Sequence, residues 1–321
     1  MLYKRSDSKK GVQLYPTSNE HPVDLLIYYI CQYHWPGLFH RNVTHMNSDH
    51  LYHSIKHINS IFFISLCTAL SSYVILFFIS GYSSLYFAAD FDILARLGLE
   101  GVVYLTPLTD AKWTFDALVT VFLSKPVASF SIGMLALLLL MFVNLKSTTG
   151  LYFLLWLAIW GFNGSIGTFI DDAIFGMGTY AVAKAMEFSF SVLLVSGVFS
   201  VYFLYLIGVI VGRLYFAYLY DAPFYGSKKR IYWVTITILL PWIVVVLINY
   251  ANRMPEFSWP EFVKNITVII LILPMFLIKE QMRQSVLLKK WKMPDWIDLL
   301  LVMGLLATTI WIVFSLTHKI G

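Results

Sequence analysis

From residue 60 onward the chain alternates long apolar blocks with short polar clusters. The blocks are Ser60 to Ser80, Val127 to Asn144, Leu151 to Phe169, Ser189 to about Tyr218, Ile231 to Tyr250, Asn265 to Ile278 and Leu299 to Leu316. A helix needs about 20 apolar residues to cross the hydrocarbon core of a bilayer. The pattern therefore predicts an all-α polytopic membrane protein with about seven transmembrane helices, between six and eight. Ser189 to Tyr218 is longer than a bilayer requires, which predicts tilt or projection. Pro241 predicts a kink, since a proline inside a span removes a backbone donor. Asn265 to Ile278 is short and holds Pro274. A re-entrant segment is its alternative, and that would move the C-terminus to the opposite face.

The segments between the blocks complete the domain plan. Residues 1–59 read as a cytoplasmic tail carrying interfacial amphipathic helices. The apolar run from Asp24 to Cys31 is too short to span, and Tyr28, Tyr29, Tyr33 and Trp35 favour the membrane interface. A second helix starts near Asn47 or Ser48 and continues into the first span. Residues 81–126 carry mixed charge, a strand-like piece from Val102 to Thr106 and a helix-like piece from Trp113 to Ser124. A connection this long with its own pattern predicts a small folded extracytoplasmic cap between spans one and two. Residues 127–218 hold spans two to four with an acidic turn at 170–188. Residues 219–321 hold spans five to seven with a basic cytoplasmic helix at 279–295.

Composition fits this plan. The chain is 59% hydrophobic and 13% charged, where a soluble protein carries about 25% charged residues. The polar first twenty residues predict no cleaved secretory signal. Cys31 and Cys67 form neither a disulfide framework nor a metal spacing. The net charge of +5 is explained by position. With the N-terminus in the cytoplasm, 16 of the 23 Lys and Arg fall on inner segments and seven on outer ones. That excess predicts a cytoplasmic N-terminus, an outside C-terminus and the inner membrane of a bacterium, and it makes nucleic acid an unnecessary partner.

Four groups of residues could carry chemistry. Asp171 and Asp172, with Lys184 and Glu187 before span four, could form an ion or proton relay, because carboxylates near hydrocarbon are costly unless they face protein, water or a cation. The bland alternative places both acids in the headgroup zone, or pairs one with Lys184. Gly161 and Ser165 are four residues apart, as are Gly164 and Thr168. That spacing predicts a smooth packing stripe on span three, facing either a partner subunit or another helix of the same chain. Asn163 beside it could hydrogen-bond across helices.

Six of eight histidines lie between residues 34 and 57. His50, His53 and His57 share one face of a helix within about 60°, which offers a metal or haem site against a titratable stripe at the headgroup boundary. Their spacing matches no strong metal signature. Lys279, Arg283, Lys289, Lys290 and Lys292 read as a basic face for anionic lipid.

Several catalytic motifs are absent: HExxH, the Walker A sequence and GxSxG. Tyr220-Asp221 resembles half of an intramembrane aspartyl pair, but no GxGD follows. No cofactor is identified, and none is expected. Three function classes follow in order. The first is a non-enzymatic membrane subunit or scaffold of a multi-protein envelope complex, of assembly or secretion type, with other membrane or envelope proteins and anionic lipids as partners. The second is an ion- or proton-coupled transporter or channel using Asp171 and Asp172. The third is a metal- or haem-binding membrane enzyme using the 34–57 histidines.

Overall fold

The computed structural model describes residues 48–98, 101–143, 145, 147–176, 178–218, 227–251, 259–278 and 296–319. The chain divides into two units, 1–56 and 57–321. The first is described only over 48–56, which is helical. The second unit is described below.

Helix α1 (Ser48–Asp90) leads into a hairpin, β1 (Ala95–Gly98) and β2 (Gly101–Tyr104). Helices α2 (Phe115–Phe142) and α3 (Thr148–Phe162) follow. A π-helical stretch, Asn163–Gly167, joins α3 to α4 (Thr168–Phe175). Then come α5 (Thr179–Ala185), α6 (Phe190–Tyr218) and α7 (Ser227–Val234). A second π-helical stretch, Thr235–Leu239, joins α7 to α8 (Leu240–Ala251), before α9 (Trp259–Ile266), α10 (Val268–Leu277) and α11 (Trp296–Lys319). Among the described residues five helical segments are long and apolar enough to cross a membrane: Asn59–Asp90, Phe115–Phe142, Thr148–Phe175, Phe190–Tyr218 and Arg230–Tyr250. Phe262–Leu277 and Trp296–Trp311 are shorter apolar helices.

Three boundaries differ from those the sequence predicts. The first span does not stop at Ser80; α1 continues to Asp90. Its late turns are held by Ser84, whose hydroxyl lies 2.9 Å from that of Ser124 on α2. Second, Pro126 does not divide a helix-like piece from span two. It lies inside α2, which begins at Phe115 with Thr114 as cap, its side chain accepting from the Ala117 N–H. Proline is tolerated inside spans because neighbouring groups satisfy the freed backbone. Third, Asp171 and Asp172 lie in helix α4 and not in a turn.

At Pro241 the expected irregularity takes the form of the π stretch just before it. Proline donates no bond to the carbonyl four residues earlier, here Thr237. That buried carbonyl accepts from the Ser65 hydroxyl of α1. Ser65 in turn accepts from Trp156 Nε1 on α3 at 2.9 Å, and Trp160 Nε1 donates to the Ala69 carbonyl at 3.2 Å. Two tryptophans one turn apart thus fasten α3 to α1, and they form the middle of the main core with Tyr152, Leu155 and Ile159.

Close backbone approaches set the other contacts. A Cβ on Gly161 would lie 2.6 Å from Gly133 Cα on α2. A Cβ on Gly208 of α6 would lie 2.4 Å from the Leu271 carbonyl oxygen on α10. Such approach gives van der Waals contact between helices, which lipid cannot replace by a hydrophobic driving force. At the N-terminus of α3, Asp298 of α11 accepts from the Ser147 hydroxyl at 2.5 Å and from the Thr149 N–H at 3.2 Å.

The hairpin pairs Ala95 with Tyr104 and Gly98 with Gly101, antiparallel. The sequence shows only the second strand, because Ala-Arg-Leu-Gly has little strand preference of its own. A separate small core, Ala88, Ile93, Trp113, Ala117 and Val121, joins the end of α1 to the start of α2, with Tyr104 and Phe122 packed against it. Trp113 Nε1 donates to the Thr106 carbonyl at 3.2 Å.

Candidate functional site

A cavity of about 70 Å³ lies among α1, α2, α3, α8 and α9, and its lining mixes polar side chains with Leu76, Phe77 and Trp160. The elements supply it in a regular way. Helix α1 contributes Tyr73 and Ser80, and α2 contributes Lys125 and Ser129. The first π stretch contributes Asn163 and Gly164, α8 contributes Asn249, and α9 contributes Lys264 and Asn265. Lys125 lies ten residues from the start of α2, and Asn163 twelve before the end of α4. At 1.5 Å per residue these are about 15–18 Å from the helix ends near the hairpin. The cavity therefore lies well inside the helices, between their hairpin ends and their middles.

Asn163 holds the cavity wall. Its Nδ2 donates to the Lys264 carbonyl at 2.8 Å, and its Oδ1 accepts from the Thr267 hydroxyl at 2.7 Å. Thr267 interrupts the helix between α9 and α10, so carbonyls around it lose part of their helical bonding. The Asn265 carbonyl is taken by Trp242 Nε1 at 3.3 Å. The π stretch opens the ladder of span three at the same level. Such one-turn widenings cluster at functional sites. Across the cavity, Asn249 Nδ2 donates to the Tyr73 hydroxyl at 2.9 Å, and the Tyr73 ring meets Trp160 edge-on at 5.1 Å.

Behind this wall lie the acids. Asp171 and Asp172 are 8% and 5% exposed, so neither sits in open headgroup solvent. Asp172 Oδ2 accepts from the Thr179 N–H at 2.8 Å and from the Thr179 hydroxyl. Gly178 permits this turn. Its φ is +59°, and a Cβ there would stand 2.9 Å from Asp172 Oδ1. Asp171 Oδ1 is buried and accepts no hydrogen bond from the described residues. The charge of Lys264 acts on both acids, that of Lys125 on Asp172, and that of Asp172 on Asp171. The lysines line the cavity and the acids do not, but the acids stand close enough to feel the lysine charge, an arrangement able to hold an ion or pass a proton.

The other predicted site residues fall as follows. Lys184 is exposed on α5, and Glu187 is exposed just after it with φ +57°. The positive charges that act on the acids are those of Lys264 and Lys125. Gly161 packs on Gly133 and the Ser129 carbonyl, and Gly164 on Ser129 and Leu76, all within this chain. Ser165 is buried, and Thr168 bonds its hydroxyl to the Gly164 carbonyl at 2.8 Å. His50, His53 and His57 lie on α1, and their side chains are outside the described residues, as are Lys279, Arg283, Lys289, Lys290 and Lys292. Among the described residues no three His, Cys, Asp or Glu side chains come together.

Sequence reasoning missed both cavity lysines. It assigned Lys125 and Lys264 to outer loops, because a charge between apolar blocks reads as a loop. The available signal was that each stands beside a residue with another reason to be in a helix. Lys125 follows the helix-like piece 113–124, and Lys264 precedes Asn265 at the start of an apolar run. The chain matches no protein-family model, no curated protein and no solved structure.

Proposed function

We propose that the chain is a multi-pass membrane carrier that moves a proton or small ion through the site formed by Asp171, Asp172, Lys264 and Lys125. The observation that carries this reading is the burial of both acids under the charge of two lysines that line a cavity. Ionisable groups inside a membrane protein are costly and cluster on ion and proton pathways. The π stretch at Asn163–Gly167 and the break at Thr267 add support, since carriers place their sites at interrupted helices.

In this reading the five long segments, with Phe262–Leu277 and Trp296–Trp311, make seven spans of a bacterial inner-membrane protein. The N-terminus is cytoplasmic, and the hairpin with its small core is the extracytoplasmic cap.

Liposomes holding the purified full chain and an entrapped pH-sensitive dye test the reading. Wild type should conduct protons under an imposed potential, and Asp171→Asn with Asp172→Asn should not. Equal flux in both would remove it.

The subunit of an envelope complex stays as a second reading. One observation favours it: α6 leaves Phe199, Tyr202 and Phe203 exposed along much of its length, a face that a partner helix or lipid could cover. The small-residue stripe favours it less, because its glycines are engaged within the chain. Mass spectrometry after gentle-detergent purification separates the two, since a lone monodisperse chain argues for the carrier.

A further inference from the structure

We propose that the cavity between Lys125 and Lys264 binds a phosphate group. The inference deepens the carrier reading and rests on the same cavity, though not on flux through it. Lys125 and Lys264 both line one volume of about 70 Å³. That is room for a cluster of waters or for one compact anion, since about 10–15 Å³ accommodates a single water. Lys is a strongly hydrated point charge with three donors, suited to an anion of changing orientation.

The rest of the lining can supply neutral donors. Asn249 and Ser129 present amide and hydroxyl groups, and the Asn163 amide is fully engaged in holding the wall. Aromatic groups, Tyr73 and Trp160, close the apolar side.

Lys125 lies ten residues inside α2, and Lys264 lies in α9 just before the break at Thr267. Basic pockets between transmembrane helices hold lipid head groups. Free phosphate offers the same oxygens.

The acids behind the wall set a further condition. Lys264 acts on both Asp171 and Asp172, and Lys125 acts on Asp172. An anion entering the cavity competes with these carboxylates for the same cations. Neutralising an acid should therefore strengthen phosphate binding, while neutralising a lysine should weaken it. A purely structural ion cluster would give loss in both cases.

The experiment uses the full chain purified in detergent and has two arms. Calorimetric titration with inorganic phosphate measures free anion binding. Native mass spectrometry after exchange into mixed phosphatidylglycerol and phosphatidylcholine micelles measures retained phospholipid. Loss of one charge-assisted contact is expected to weaken binding about tenfold in Lys125→Gln and in Lys264→Gln. Asp171→Asn is expected to tighten it.

Binding in the first arm identifies free phosphate, and binding only in the second identifies a lipid head group. No binding in either arm, or binding unchanged in both lysine variants, overturns the proposal. So does weaker binding in Asp171→Asn. Lys125→Gln keeps the test open if Lys264→Gln fails to fold. Lysine-dependent phosphate binding without proton flux would sink the carrier reading and leave this one standing; flux without phosphate binding would do the reverse.

Discussion

Asn163 and Thr267 are 104 residues apart in the chain and share a 2.7 Å hydrogen bond. The same Asn163 amide donates to the Lys264 carbonyl, and the Thr267 hydroxyl also reaches that carbonyl at 2.6 Å. Three groups thus close a ring where one helix is widened and another is broken. Interhelical hydrogen bonds in membranes average about 0.6 kcal/mol and reach about 1.7. Asn163→Ala removes two of them, so a loss of about 1–2 kcal/mol is expected in reversible unfolding from bicelles. In a double-mutant cycle, Asn163→Ala and Thr267→Val should be non-additive. Additive losses would show that the ring does not act as one unit.

The α2–α3 contact makes a sharper stability prediction. Gly161→Ala would set a Cβ 2.6 Å from Gly133 Cα and 2.9 Å from the Ser129 carbonyl oxygen, both backbone atoms. The helices must separate, at a cost of about 1–3 kcal/mol. Gly304→Ala is the control, because nothing lies within 4 Å of its Cβ position. Unfolding curves should shift for the first and not for the second.

Asp298 ties α11 to the α3 N-terminus. A carboxylate that accepts from terminal N–H and hydroxyl groups stabilises a helix start by about 0.5–2 kcal/mol. Asp298→Ala should therefore lower stability by that amount, and protease sensitivity should rise first in α11. Proteolysis that begins elsewhere, with α11 unaffected, would contradict the assignment.

Tyr104 gives the small core a pH signature. Burial pushes its phenol up to about 12, and a hydrogen bond with Ser84 works the other way. In the unfolded chain the phenol titrates near 10. Between about pH 10 and 12 the folded chain keeps a proton that the unfolded chain has released. Stability is therefore full below pH 10 and falls as pH rises through that window. Tyr104→Phe should flatten the alkaline slope measured by thermal unfolding between pH 9 and 12. An unchanged slope would place the titrating group elsewhere.

The sequence shows the spans because each must satisfy its backbone internally and clothe itself in apolar side chains. It shows the stripe at Gly161 and Gly164 because four-residue spacing repeats on one face. What meets that stripe was hidden: Gly133 and Ser129 come from another helix, and no local pattern links them. The same holds for Gly208 and Gly212, whose role depends on Leu271 and Met275. The sequence divides the cap from span two at Pro126, while α2 runs through that residue unbroken. The acids were legible as unusual, but their partners were not. Lys125 and Lys264 are distant in sequence from Asp171 and Asp172, and each looked like an ordinary loop charge. The cavity needs five helices and therefore has no signature in any one stretch.

The account stands on the acids and cavity lysines working as one charge-coupled unit. Proton flux in liposomes for Asp171→Asn, for Lys264→Gln and for the double variant tests this most directly. A single unit predicts that the double variant loses no more than the worse single one, because either change already disables the shared path. Losses that multiply, or flux untouched by Lys264→Gln, would contradict it.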